Sequence, residues 1–242
     1  MLLVPDAVRV ACWLNAWLSA REGADAVISG VDARTGRTEF EGPWTDGPVP
    51  TALFLGELRR LGVRRASSAL PVPGDPLGLG GPAAFNAEVV DVGEAVLLHE
   101  PELGMVPVRS GRLVSWHVAP ARPPSYLPTV GDADRALRAE LLEAANRLAA
   151  LDVATWRPEV ADLLTTLRGE SGDVVGAPYA SARSARLTED ALRAARIVSL
   201  ARADDGGAVS AFEASQRVEA LRPLERAARA ALVATSSSLD GR

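Results

Sequence analysis

The sequence contains no lysine: all 26 of its basic residues are arginine. That absence excludes the P-loop pattern, whose lysine is obligatory. The aliphatic residues are Ala, Leu and Val, with almost no Ile. Together these biases match a GC-rich bacterial genome, so the arginine content is read as codon usage and not as a demand for phosphate contacts. There is a single cysteine, Cys12, which excludes an intramolecular disulfide and points to a reducing, cytoplasmic home. Beside Trp13 on an apolar helix, Cys12 reads as a buried structural thiol.

Long apolar runs are also missing. The nearest is residues 2–18, but it has no basic leader and is interrupted by Asp6, Arg9 and Asn15. Neither a signal peptide nor a membrane span is expected there. The net charge is −5, which makes nucleic acid an unlikely partner, because phosphate neutralisation needs a basic surface. G-x-G-x-x-G and G-x-S-x-G are absent, and there are only two histidines. No catalytic residue, metal site or cofactor is predicted.

What is present indicates an α+β chain: an α/β half, then an all-helical half. Val10, Trp13, Leu14, Trp17 and Leu18 form one helical face within residues 5–21, with Asp6, Arg9, Asn15 and Ser19 elsewhere on the helix. Residues 24–31 suit a short helix, Thr38–Glu41 a strand, and residues 51–61 a helix stopped by Gly62. A strand over 64–72 leads through a Gly-rich loop to a helix over Ala83–Val92. Val96–Glu100, Met105–Arg109 and Arg112–Ala119 predict an antiparallel meander spanning about 95–119, with a turn at Ser110-Gly111. The register inferred from that turn opposes Arg109 to Arg112 and places His99 beside Met105. His99 and His117 then lie on opposite faces, which argues against a shared metal.

Pro120, Pro123, Pro124 and Pro128 mark residues 120–131 as a linker between domains at 1–119 and 132–242. Beyond it Leu137, Leu141, Ala144, Leu148 and Leu151 form a bundle seam on a helix capped by Asp132 or Asp134. Further helices are expected over 157–168, 187–203 and 208–234, the last kinked or divided at Pro223. A Gly/Ser/Ala-rich loop is expected over 169–186, and a frayed SSSLDGR tail closes the chain.

Two sets of residues are candidate sites. In the loop 73–86, Asp75, Gly80, Gly81 and Asn86 could hold a small ligand near a helix N-terminus. On the last helix Arg222, Arg226 and Arg229 recur at i, i+4 and i+7. Residues 180–242 carry 10 Arg against 8 acids, whereas residues 1–179 carry 16 Arg against 23 acids. The arginine stripe is therefore expected to meet an acidic surface. The leading functional expectation is a cytoplasmic, non-enzymatic interaction or regulatory protein that forms a homodimer, or binds another protein, through its helical half. A small-ligand-binding protein or enzyme using the Gly-rich loop is the alternative.

Overall fold

A computed structural model describes residues 4–33, 36–150, 177–203 and 211–239. The front half alternates helices and strands: α1 (Asp6–Leu18), α2 (Ala24–Asp32), β1 (Arg37–Glu41), β2 (Val49–Pro50), α3 (Thr51–Leu61), β3 (Arg65–Ala69), α4 (Ala83–Val92), β4 (Ala95–His99), β5 (Leu103–Ser110) and β6 (Leu113–Pro120). Three long helices follow: α5 (Val130–Ala150), α6 (Ala182–Ala203) and α7 (Ala211–Ser236). The α+β reading, with a helical C-terminal region, is what the structure shows. The expected helix at 157–168, residues 169–176 of the expected loop and Leu151 of the seam lie outside the described residues. α6 begins at Ala182, five residues before the expected helix start, so residues 182–186 are helix and not loop.

The meander is larger than the sequence suggests. It is the centre of a six-stranded sheet ordered β2-β1-β6-β5-β4-β3. β1 joins β6 in parallel, and the other neighbours are antiparallel. The register differs from expectation. Ser110 pairs with Leu113, so Gly111-Arg112 makes the turn, and Met105 pairs with Val118. At the other end Leu98 pairs with Leu103 and Val96 with Met105, not His99 with Met105. This second shift is by an odd number of residues and therefore turns His99 over. His99 shares its face with Leu97, Gly104, Val106 and His117. The driving force is burial: Val96, Leu98, Leu103 and Met105 all enter the core under α1.

One sheet face packs on α1, α2 and α3 through Val96, Leu98, Met105, Trp116 and Phe40. The opposite face packs on α4, whose Phe85 and Val89 meet Leu97 and Val106. Gly104 makes that approach possible, since a Cβ there would sit 2.1 Å from the Phe85 ring. Gly62 ends α3 in the left-handed region, as its position implies.

α1 is not amphipathic in the way its pattern suggests. Asp6, Arg9 and Asn15 are all buried, and each is held by hydrogen bonds or ion pairs. Glu94 accepts the Ala7 backbone N–H at 2.7 Å and so caps α1 from across the sheet. Arg109 bridges Asp6 and Glu94. Arg9 donates to the carbonyls of Gly30 and Val31 near the α2 C-terminus, a favourable place for a cation. Burial pushes the Cys12 thiol up to about 12, which leaves it protonated and unreactive at neutral pH.

Asn15 joins three elements. Its Oδ1 accepts from Ala66 N (2.8 Å), and its Nδ2 donates to Ala66 O (2.8 Å) and Ser236 O (2.7 Å). β3 is an edge strand, and the carboxamide completes its unpaired backbone as another strand would. Ser68 Oγ adds a 2.7 Å hydrogen bond to Ser236 Oγ. Ser236 and Ser237 are buried, so the tail is not frayed at these positions; the pull of β3 and Asn15 on their polar groups outweighs terminal fraying.

The helical half packs on its own chain. α7 lies between α5 and α6 and reaches α1 and β3. Leu137 and Ala144 of the α5 seam are buried with Leu187, Leu192, Leu221, Leu224 and Leu232. Pro223 lies within α7, which continues through it as one helix. α5 starts at Val130, and Thr129, rather than Asp132 or Asp134, supplies the cap: its Oγ1 accepts the Asp132 N–H at 3.1 Å.

Replacing Asn15 by Ala would leave Ala66 N, Ala66 O and Ser236 O without partners. A loss of about 3 kcal/mol in unfolding free energy is expected, measured by urea denaturation. A loss below about 1 kcal/mol would show that water replaces the carboxamide.

Candidate functional site

The sequence-predicted ligand residues do not converge on one cavity. Asp75 is engaged within the chain: its Oδ2 accepts from Arg229 at 2.8 Å and pairs with Arg226 at 3.4 Å. Arg229 also donates to Leu70 O at 2.7 Å. The structure thus joins the two candidate sets to each other. Arg222 sits apart, exposed and paired with Glu219. Gly80 lies under the Pro-rich segment, where a Cβ would fall 2.2 Å from Pro123 O. Gly81 accepts the Arg122 N–H at 2.7 Å. Asn86 stands in the first turn of α4, with its Oδ1 buried and without a hydrogen-bond partner among the described residues.

The Pro-rich segment is a strap laid along the molecule. Pro120 ends β6 opposite Leu103. Ala121 is buried and its N–H reaches Glu102 O. Residues 124–131 then form one wall of an open cleft of about 960 Å³. The other walls are Arg65 and His99 at the ends of β3 and β4, Ser181, Arg183 and Ser184 at the start of α6, and Ala234 with residues 237–239 after α7. Asp75, Gly80, Gly81 and Asn86 are not among its lining residues.

Among the described residues the cleft lining includes two arginines and no Asp or Glu, although acids outnumber arginines in the whole chain. Arg65 is the deeper cation. Its Nε and Nη2 donate to the Ser237 carbonyl at 3.2 and 2.9 Å. Among the described residues it has no carboxylate partner, and partial burial lowers its pKa from the ordinary arginine value. A desolvated cation held only by a carbonyl leaves its charge uncompensated. Arg183 pairs with Asp134 at 3.0 Å behind the wall and is more than half exposed. The first turns of α5 and α6 open on the same space, with Ser181 Oγ accepting the Ser184 N–H at 3.1 Å.

His99 stands next to Arg65 across the β3–β4 ladder. Its Nε2 shares a 2.9 Å hydrogen bond with Ser67 Oγ. Burial, and then the neighbouring Arg65 charge, push its pKa down to about 4, so the ring is neutral at pH 7. His117 lies on the same sheet face but nearer the opposite edge, 3.8 Å from Glu41. Among the described residues no three His, Cys, Asp or Glu side chains converge to hold a metal. No helix of the described residues is long and apolar enough to cross a membrane.

The sequence reading missed Arg65, Arg183 and the strap residues. Arg65 carries no motif, and its isolation from carboxylates exists only in three dimensions. The proline cluster at 120–131 is the one signal for this wall in the sequence.

The His99 geometry sets a pH dependence. The unfolded chain protonates this ring near its ordinary value of 6.5, the folded chain only near 4. Between those values the unfolded state binds more protons, so stability is lost as pH falls through the window. The stability difference between the wild type and His99→Gln should narrow from pH 7.5 to pH 5 in denaturant titrations. A constant difference would contradict a buried neutral ring.

Comparison with known proteins gives relatives along nearly the whole chain. The chain is 28% identical over a gapped alignment 282 positions long to the uncharacterized protein Rv1486c of Mycobacterium tuberculosis strain H37Rv, covering 96% of each chain. The uncharacterized protein MT1533 of strain CDC 1551 gives the same identity and coverage. The uncharacterized protein ML1804 of Mycobacterium leprae is 24% identical over 288 alignment positions, again with 96% of each covered. No solved structure matches the chain. The Rv1486c-like N-terminal domain matches residues 7–133 and the corresponding C-terminal domain residues 131–233, so the chain belongs to the Rv1486c-like protein family.

Proposed function

We propose that this protein binds a small anionic organic molecule in the cleft between the strap and the helical half. The observation that carries this reading is Arg65, a half-buried guanidinium in a cleft wall, bonded only to the Ser237 carbonyl and without a carboxylate partner among the described residues. A bound anion supplies the missing counter-charge. No acid is among the described lining residues, so the repulsion that Asp75 would create at the Gly-rich loop does not arise from them. The first turns of α5 and α6 add favourable dipoles. The volume suits a small-molecule site at a junction between two halves of a chain. A cytoplasmic setting accords with the single buried thiol.

Inorganic phosphate is the first probe. At roughly ten times its Kd it should raise the Tm by about 3 °C above a sodium chloride control of equal ionic strength. Arg65→Gln should abolish the response and Arg65→Lys retain part of it, with folding checked by circular dichroism. Arg226→Gln, outside the cleft, should respond like the wild type. Equal responses in the wild type and Arg65→Gln would refute the assignment.

Self-association through the helical half is a second reading, favoured by Leu142, which is 65% exposed on α5. It predicts a light-scattering mass that rises toward a dimer with concentration and falls back in Leu142→Glu. A monomer mass at high micromolar concentration excludes it.

A further inference from the structure

The cleft has an apolar side as well as a cationic one. Pro124, Tyr126, Leu127 and Pro128 lie on the strap, and Arg65 lies at the strand ends. Tyr126 is 69% exposed, more than any other large apolar side chain among the described residues. Aromatic residues are only 5% of this chain, and Trp116, Phe40, Phe54 and Phe85 are all buried. An aromatic ring left open beside a cleft therefore runs against the molecule's own pattern. Pro124 and Pro128 restrict the backbone on either side, so the ring is presented at low entropic cost. The cleft is also much larger than a bare phosphate needs, since about 960 Å³ lies near the upper end for small-molecule sites.

We propose that the cleft takes a nucleoside phosphate, with its phosphate against Arg65 and its base stacked on Tyr126. This rests on the anion-binding reading above. A guanidinium with no carboxylate partner among the described residues receives phosphate oxygens, and a flat aromatic face receives a base of either size. Leu127, Pro124 and Pro128 extend the apolar surface on which the faces of the base can pack. Tyr126 is a specificity-determining residue in this arrangement: it discriminates between ligands that carry the same phosphate and differ in the ring.

Isothermal titration separates the two levels of the proposal. Ribose 5-phosphate carries the phosphate without the base, and AMP, GMP, CMP and UMP carry both. At least one nucleotide should bind about tenfold more tightly than ribose 5-phosphate. Tyr126→Ala should bring that nucleotide to within about twofold of ribose 5-phosphate, while Tyr126→Phe keeps the gain. Because Tyr126 is exposed, neither substitution should lower the Tm appreciably. Four nucleotides no tighter than ribose 5-phosphate, or a gain that survives Tyr126→Ala, overturn the nucleotide inference and leave the anion site standing if inorganic phosphate still binds through Arg65. No binding of phosphate, ribose 5-phosphate or any nucleotide overturns both.

Discussion

The fold depends on how the exposed edge of β3 is satisfied. A buried edge strand cannot keep its backbone groups unpaired, and among the described residues no seventh strand pairs with it. Asn15 takes that place from the centre of α1, pairing with both Ala66 N and Ala66 O and with Ser236 O at the end of α7. One carboxamide therefore fixes the depth of α1 over the sheet and the position of the last helix. Side chains of Ser68 and Arg65 add further ties from β3 to the same terminus, through Ser236 Oγ and Ser237 O. A helix that reads as amphipathic is buried on nearly every side because its polar residues are structural partners and not a solvated face.

The same junction creates the cleft. Arg65 is placed to hold Ser237, and so it stands where the strand ends, the α7 terminus and the α6 start come together. The strap closes the remaining side. It is kept there by Gly80 and Gly81 beneath Arg122 and Pro123, while Arg229 ties the Gly-rich loop to α7 through Asp75 and Leu70 O. Glycines that suggest ligand contact in the sequence here allow close backbone approach between two segments. Arginines that suggest a partner surface reach an acid of their own chain.

Local pattern was legible wherever one element's own chemistry decided the outcome. Pro82 before Ala83 and Gly62 after Leu61 set helix limits, and alternation with β-branched residues gave the meander. The Leu137 and Ala144 seam identified the inward face of α5. Register was less legible. A register two or three residues away from the assumed alignment changes which residues are opposed, and only the burial of Val96, Leu98 and Met105 under α1 settles it. The face of His99 followed from that. Thr129 rather than Asp132 caps α5, because both types can cap and the strap's path decides which is in reach.

By itself, the sequence determined the α+β order of elements, the helical character of the second half, the buried Cys12 and the prominence of the proline segment. These follow from residue types and short spacings, which act within one element. Tertiary structure alone decided that β1 and β3 extend the meander into a six-stranded sheet. It also decided that Asn15 stands in for a strand, that Asp75 meets Arg229, and that Arg65 faces a cleft with no acid beside it among the described residues. The Asn15 and Asp75 contacts join residues from 51 to 221 positions apart, the added strands pair across intervening elements, and no local pattern encodes which charges come together.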